Sequence, residues 1–254
     1  MIRALSFFAV SLFLAFAAIA KDEENAAELE YLIAETERSA RTNQLSAERV
    51  LFATGQAIDA ASFIVSSVEV DRLIHTELRR LASRIPGVRA IIVIGPDGQL
   101  KHDSYKFPTT ELDLADRSYF KEALSSSDLI IGKQVIGRSS GTNFVPIVKR
   151  IGDLTYVAVT APFAIVDLQS ECGDCWSMAL QPDGSIVSMF PPETDFMPRL
   201  IKRTAHSMAA NGSTIVKFQH SIFAVAWRKS PDFPLISVSV RGLPDTASVD
   251  VDVN

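Results

Sequence analysis

The chain has 254 residues, of which 47% are hydrophobic and 22% charged, enough for a packed core and too apolar for a disordered protein. Its formal net charge of -5 opposes a broad phosphate-binding surface, so no nucleic-acid partner is expected.

The N-terminus reads as an export segment. Met1-Ile2-Arg3 carries one positive charge, and Ala4 to Ala20 is a run of 17 residues without any. Ala18-Ile19-Ala20 places small residues at both positions of an A-x-A cleavage site, and Lys21 follows. Two outcomes stay open for residues 1–20: a cleaved signal peptide, or a retained anchor at the lower edge of the length that spans a bilayer. Either way the body of the protein is exported.

A helical stretch follows, from about Glu24 to Arg84, rich in Ala, Glu, Leu and Arg, with no proline and one glycine, Gly55. Apolar residues recur at helical spacing at Leu29, Leu32 and Ile33, then at Val50, Leu51 and Ile58, and again at Leu73, Ile74, Leu78 and Leu81. Ser66-Ser67 with Glu69 and Asp71 predicts a break, with a second helix starting near Val68. About 40 residues of helix before the break would be near 60 Å long, which suits a stalk or a dimer-forming helix, or a core helix over its second half.

Pro86-Gly87 ends the helices. Val88 to Ile94 is a strand of β-branched residues, Gly95-Pro96-Asp97-Gly98 a turn, and Leu100 to Ser104 the returning strand. The same phrase recurs as Trp176 to Leu180, Pro182-Asp183-Gly184 and Ile186 to Phe190, with Asp183 following Asp97 by 86 positions. Each copy precedes a helix candidate (Tyr119 to Leu124; Phe196 to Ala210) and three more strands. In the first half these are Ile130 to Ile136, Phe144 to Ile151 and Thr155 to Thr160. In the second they are Ser213 to Phe218, Ser221 to Trp227 and Leu235 to Val240. The reading is α+β: a long N-terminal helix, then two tandem modules with antiparallel sheets. The boundaries are 21–84 for the helical stalk, 85–167 and 168–245 for the two modules, and 246–254 for a tail.

Signals for catalysis are absent: no Gly-rich phosphate loop, no His-Glu-x-x-His, no Gly-x-Ser-x-Gly. His75, His102, His206 and His220 are scattered at spacings that suggest no metal site, and no cofactor is expected. Cys172-Gly173-Asp174-Cys175 precedes a strand rather than opening a helix, so a structural disulfide across a turn is favoured over redox chemistry. Asp116-Arg117-Ser118-Tyr119-Phe120 stands apart. Leu114 and Phe120 can pack against the sheet, which leaves Arg117 offering a planar fork of donors to a carboxylate or phosphate. The competing reading is an exposed Asp–Arg pair.

Several segments together carry a resemblance. They are Ile85-Pro86-Gly87-Val88-Arg89-Ala90, Gly95-Pro96-Asp97-Gly98, Asp103-Ser104, Leu112 through Phe120, Ile131-Gly132-Lys133, Gly137-Arg138-Ser139-Ser140-Gly141 and Phe144-Val145-Pro146-Ile147. In this order and spacing they resemble the double Cache (PAS-like) extracellular sensor family, over about Glu24 to Val240 and most strongly from Arg84 to Arg150. The resemblance implies a membrane-distal ligand-binding module followed by a membrane-proximal one, and a small-molecule ligand, often a carboxylate or amino acid. It implies that Arg117 and Tyr119 line the distal pocket, with Lys133 and Thr160 as candidates from the central strands and Asp116 bracing Arg117. Family members usually continue into a second membrane helix and an output domain. No apolar run long enough to span follows Val240, so the expectation is either that a membrane-bound signalling partner, or a homodimer through the long helix, reads the sensor, or that the chain is a truncated receptor. The alternatives are a ligand-free structural or assembly module on the same fold and a periplasmic redox protein.

Overall fold

The computed structural model describes residues 2–168, 172–192, 195–204, 208, 210–218 and 221–243, with backbone alone for 2–25. The expected tail and the positions of His206 and His220 lie outside the described residues.

Helix α1 (Ile2–Ser67) is continuous, and at 1.5 Å per residue its 66 residues extend roughly 100 Å. Its buried seam is Thr36, Ala40, Asn43, Ala47, Leu51, Thr54, Ile58 and Ala61, each 0% exposed and spaced by three or four residues. Most of these side chains are small, so the helix lies close against both sheets. The helix is therefore a core element from Thr36 onward, where a stalk was also open from the sequence. After the break, α2 (Asp71–Ala82) begins three residues later than the predicted Val68 and buries Ile74, Leu78 and Ala82.

The first sheet contains β1 (Val88–Ile94), β2 (Leu100–Asp103), β3 (Ile130–Ile131), β4 (Val135–Ile136), β5 (Asn143–Ile151) and β6 (Leu154–Thr160). Their order is β2-β1-β6-β5-β3 with β4 also on β5, and every pairing is antiparallel. The predicted strand Ile130 to Ile136 is split in two. Pro146 of β5 has no N–H to donate, and Gly132 closes on its carbonyl at 2.8 Å. Helix α3 (Ser118–Ala123) crosses the outer face.

The second sheet contains β7 (Cys175–Leu180), β8 (Ile186–Phe190), β9 (Gly212–Phe218), β10 (Ser221–Lys229) and β11 (Ile236–Gly242), ordered β8-β7-β11-β10-β9 and antiparallel. Helix α4 (Met197–Thr204) packs Met197, Leu200 and Ile201 against Met178, Val225 and Val238, and most of the remainder of the predicted stretch to Ala210 lies outside the described residues. The architecture is α+β: a long N-terminal helix, then two antiparallel sheets.

α1 ties the halves together. Asn43, fully buried, donates from Nδ2 to the carbonyls of Met178 (2.9 Å) and Val238 (3.1 Å) and accepts from Asp167 N–H (2.8 Å). Lys149 of β5 reaches Asp59 at 2.6 Å. The sheets also meet directly, where Gln181 donates to the Ile131 carbonyl at 2.9 Å. Cys172 and Cys175 are disulfide-bonded across the turn into β7, and Cys175 is fully buried.

Candidate ligand-binding site

The two faces of the first sheet differ. Ile91, Val93, Ile147, Tyr156 and Ala158 pack against α1 and α2, while Ile94, Val148 and Val157 share the other side with Tyr119, Phe120 and Phe144. On that second side lies a cavity of about 240 Å³. Ala90, Ile92, Leu100, Leu112, Leu114, Phe144 and Val159 give it an apolar lining. Its polar lining includes Arg89, Asp103, Tyr105, Arg117, Tyr119, Arg138 and the hydroxyls of Ser139, Ser140 and Thr142.

The chain delivers Arg117 to the cavity through a short relay of backbone bonds. Leu100 N–H bonds the Leu112 carbonyl at 2.9 Å, and Leu114 N–H bonds the Gly98 carbonyl at 2.8 Å. This zips the segment before Arg117 onto the β1–β2 turn. Asp113 accepts from Ala115 N–H at 2.9 Å and sets the next turn. Arg117 then occupies the extended position just before α3, and Leu114, Tyr119 and Phe120 anchor it, each at most 3% exposed. Gly98 is needed for this relay. Its φ is +82°, and a Cβ there would sit 2.7 Å from Ala115 Cα. Gly98→Ala is expected to cost about 1–3 kcal/mol through strain and to displace the 112–117 segment. Chemical denaturation would show the loss of stability.

Arg117 lines the cavity; its Nη2 donates to the Ile136 carbonyl at 3.1 Å, while its Nε is buried without an acceptor among the described residues. Tyr119 sits edge-on to Phe144 with ring centroids 6.2 Å apart. Burial pushes its phenol up to about 12 against the opposing effect of Arg117 and Arg138, so it stays a neutral hydroxyl able to donate to an anion.

The other sequence candidates are placed differently. Asp116 pairs with Arg138, which also donates to the Asp113 carbonyl; it does not brace Arg117. Lys133 is an exposed side chain 4.0 Å from Asp183, on the route between the sheets and off the cavity. Thr160 is fully buried and bonds the Ala158 carbonyl at 3.4 Å. Strand alternation puts it on the helix side with Tyr156 and Ala158, while Val159 faces the cavity. Arg89, Asp103 and Arg138 line the cavity, although the sequence did not single them out as ligand contacts. Arg89 is brought in by a β-bulge: the register with β6 shifts between Val88 and Ala90, so Arg89 and Ala90 both line the cavity.

On the helix side of the first sheet, His102 of β2 lies 3.8 Å from Asp71, yet burial outweighs that carboxylate and lowers the imidazole pKa below 6.5. A depressed folded-state pKa gives stability that is present above the unfolded value and lost as pH falls through the folded one. His102→Gln is expected to flatten the decline of Tm below pH 6.5, a difference read directly against the parent chain.

No family model matches the sequence, and no curated protein matches it. Solved structures do match. The extracellular domain of rpHK1S-Z16, described as a histidine kinase, superposes with a TM-score of 0.63 at 22% identity over 80% of this chain and 92% of that one. The ligand-binding domain of the Campylobacter jejuni chemoreceptor Tlp3, in complex with L-norvaline, gives 0.62 at 12% identity over 86% and 96%. That of the Pseudomonas aeruginosa PAO1 amino acid chemoreceptor PctB, in complex with L-Gln, gives 0.64 at 10% identity over 83% and 90%. Together with the long helix and the two antiparallel sheets, these matches show that the chain has the double-Cache fold of extracellular sensor domains.

Proposed function

We propose that this chain is an exported sensor module that binds a small carboxylate or amino acid in the cavity of the first sheet. It signals through a membrane-bound partner or a second copy engaged by α1. The observation that carries this reading is Arg117, a guanidinium that lines the cavity and, among the described residues, has no carboxylate within 4.0 Å. A guanidinium held there with donors to spare is a ready partner for a carboxylate. In this reading residues 85–167 are the membrane-distal module and 168–245 the proximal one. Residues 21–84 are the connecting helix, and 1–20 the signal peptide or anchor. The role is binding rather than catalysis. A ligand that prefers one arrangement of the cavity shifts the population, and α1, packed on both sheets, carries the change.

An open cavity with an unsatisfied arginine argues against a ligand-free assembly module. Cys175, fully buried at the start of a strand, argues against a redox role. The test is a thermal-shift screen of carboxylates and amino acids on the purified chain. A ligand at 100 times its Kd adds about 2.7 kcal/mol, and so raises Tm by roughly 5–10 °C. A folded chain that no member of a broad anion library stabilises would favour the assembly reading instead.

A further inference from the structure

The charge around the cavity points beyond a single carboxylate. Its charged lining side chains are Arg89, Asp103, Arg117 and Arg138. Arg138 is neutralised by Asp116. Asp103, 5% exposed, accepts from Tyr105 N–H at 2.7 Å and also from Lys106 N–H, so its own loop occupies it. Burial also raises its pKa, which opposes full ionisation. Arg89 and Arg117 remain. Among the described residues, neither has a carboxylate within 4.0 Å. Arg89 spends Nη1 on the Asn143 carbonyl and the Thr142 hydroxyl, both neutral acceptors.

These two uncompensated guanidinium groups sit at different depths. Arg117 has its Nε buried, whereas Arg89 is exposed at the mouth beside Ser139, Ser140 and Thr142. Between them lies an apolar lining in a cavity that suits only a compact molecule. We infer that the site selects a small molecule with two separated anionic groups, such as a short dicarboxylate, over a zwitterionic amino acid. The inference rests on the ligand-binding reading above. One anion takes Arg117 and Tyr119 in the interior, and the second takes Arg89 and the loop hydroxyls at the mouth. An amino acid would instead set its ammonium among cations, with Asp103 as the one lining carboxylate.

The experiment is calorimetric titration of the full chain in detergent with malonate, succinate and glutarate, and with butyrate and 4-aminobutyrate. The last two match succinate in length but end in a methyl or an ammonium group. One dicarboxylate should bind at least about tenfold more tightly than either, as expected for added charge-assisted hydrogen bonds. Arg89→Gln should erase that advantage, and raised salt should diminish it. The inference is overturned if butyrate, 4-aminobutyrate, L-norvaline or L-glutamine binds as tightly as the best dicarboxylate. It is also overturned if Arg89→Gln leaves the dicarboxylate preference intact. Those outcomes keep the sensor reading, whereas binding of none of these compounds would count against both.

Discussion

Replacing Asn43 with leucine is expected to destabilise the chain by about 2–4 kcal/mol, a fall in Tm of roughly 5–15 °C. Asn43 is 0% exposed, and each of its three hydrogen bonds runs to backbone distant in sequence: the Met178 carbonyl, the Val238 carbonyl and Asp167 N–H. Leucine fills a similar volume but leaves two buried carbonyls and the half-buried Asp167 N–H without this partner. The cost therefore comes from desolvated polar groups and not from a cavity. Because the Asp167 N–H that donates to Asn43 lies between the sheets and the two accepting carbonyls lie within the second, that sheet should loosen from α1 first. Hydrogen exchange would show this as lost protection in β7 and β11. Arg41→Ala is the control: Arg41 is exposed on the same helix and should shift stability by less than about 0.5 kcal/mol. Equal effects from both variants would contradict the role given to Asn43.

Arg117→Ala is expected to weaken ligand binding by about 30-fold or more, the loss of a charge-assisted pair of hydrogen bonds in a desolvated site. The same variant should leave the ligand-free chain within about 1 kcal/mol of the parent. Arg117 makes one described hydrogen bond to the protein, to the Ile136 carbonyl, and its buried Nε makes none. Removing it thus gives up little and relieves one unsatisfied donor. Arg117→Lys should also bind poorly, because an ammonium lacks the planar fork. A large loss of stability with unchanged affinity would make Arg117 a structural residue.

The β-rich part of the fold was legible because turn chemistry and β-branched runs are local signals. Both Pro-Asp-Gly turns and their strands fall where the sequence places them. Arg117 was legible as well, since Leu114 and Phe120 announce a buried flank on either side of it. The α1 seam was only partly visible. Hydrophobic periodicity finds Leu51 and Ile58, but passes over Thr36, Asn43 and Thr54, polar residues buried where the helix lies close to the sheets. Thr160 failed because period-two alternation has no absolute phase in the sequence. One position along β6, Val159 lines the cavity instead. Arg89 needed knowledge of a bulge, which depends on how β1 registers with β6 rather than on any local motif. Arg138 and Asp116 are 22 positions apart, and only the fold of the β4–β5 connection pairs them.

The decisive measurement is a crystal structure of the chain with the tightest ligand from the screen. An anionic group is expected about 2.7–2.9 Å from a terminal guanidinium nitrogen of Arg117, with the Tyr119 hydroxyl turned toward it. A ligand seated elsewhere, with Arg117 still bonded to the Ile136 carbonyl alone, would contradict the role given to Arg117.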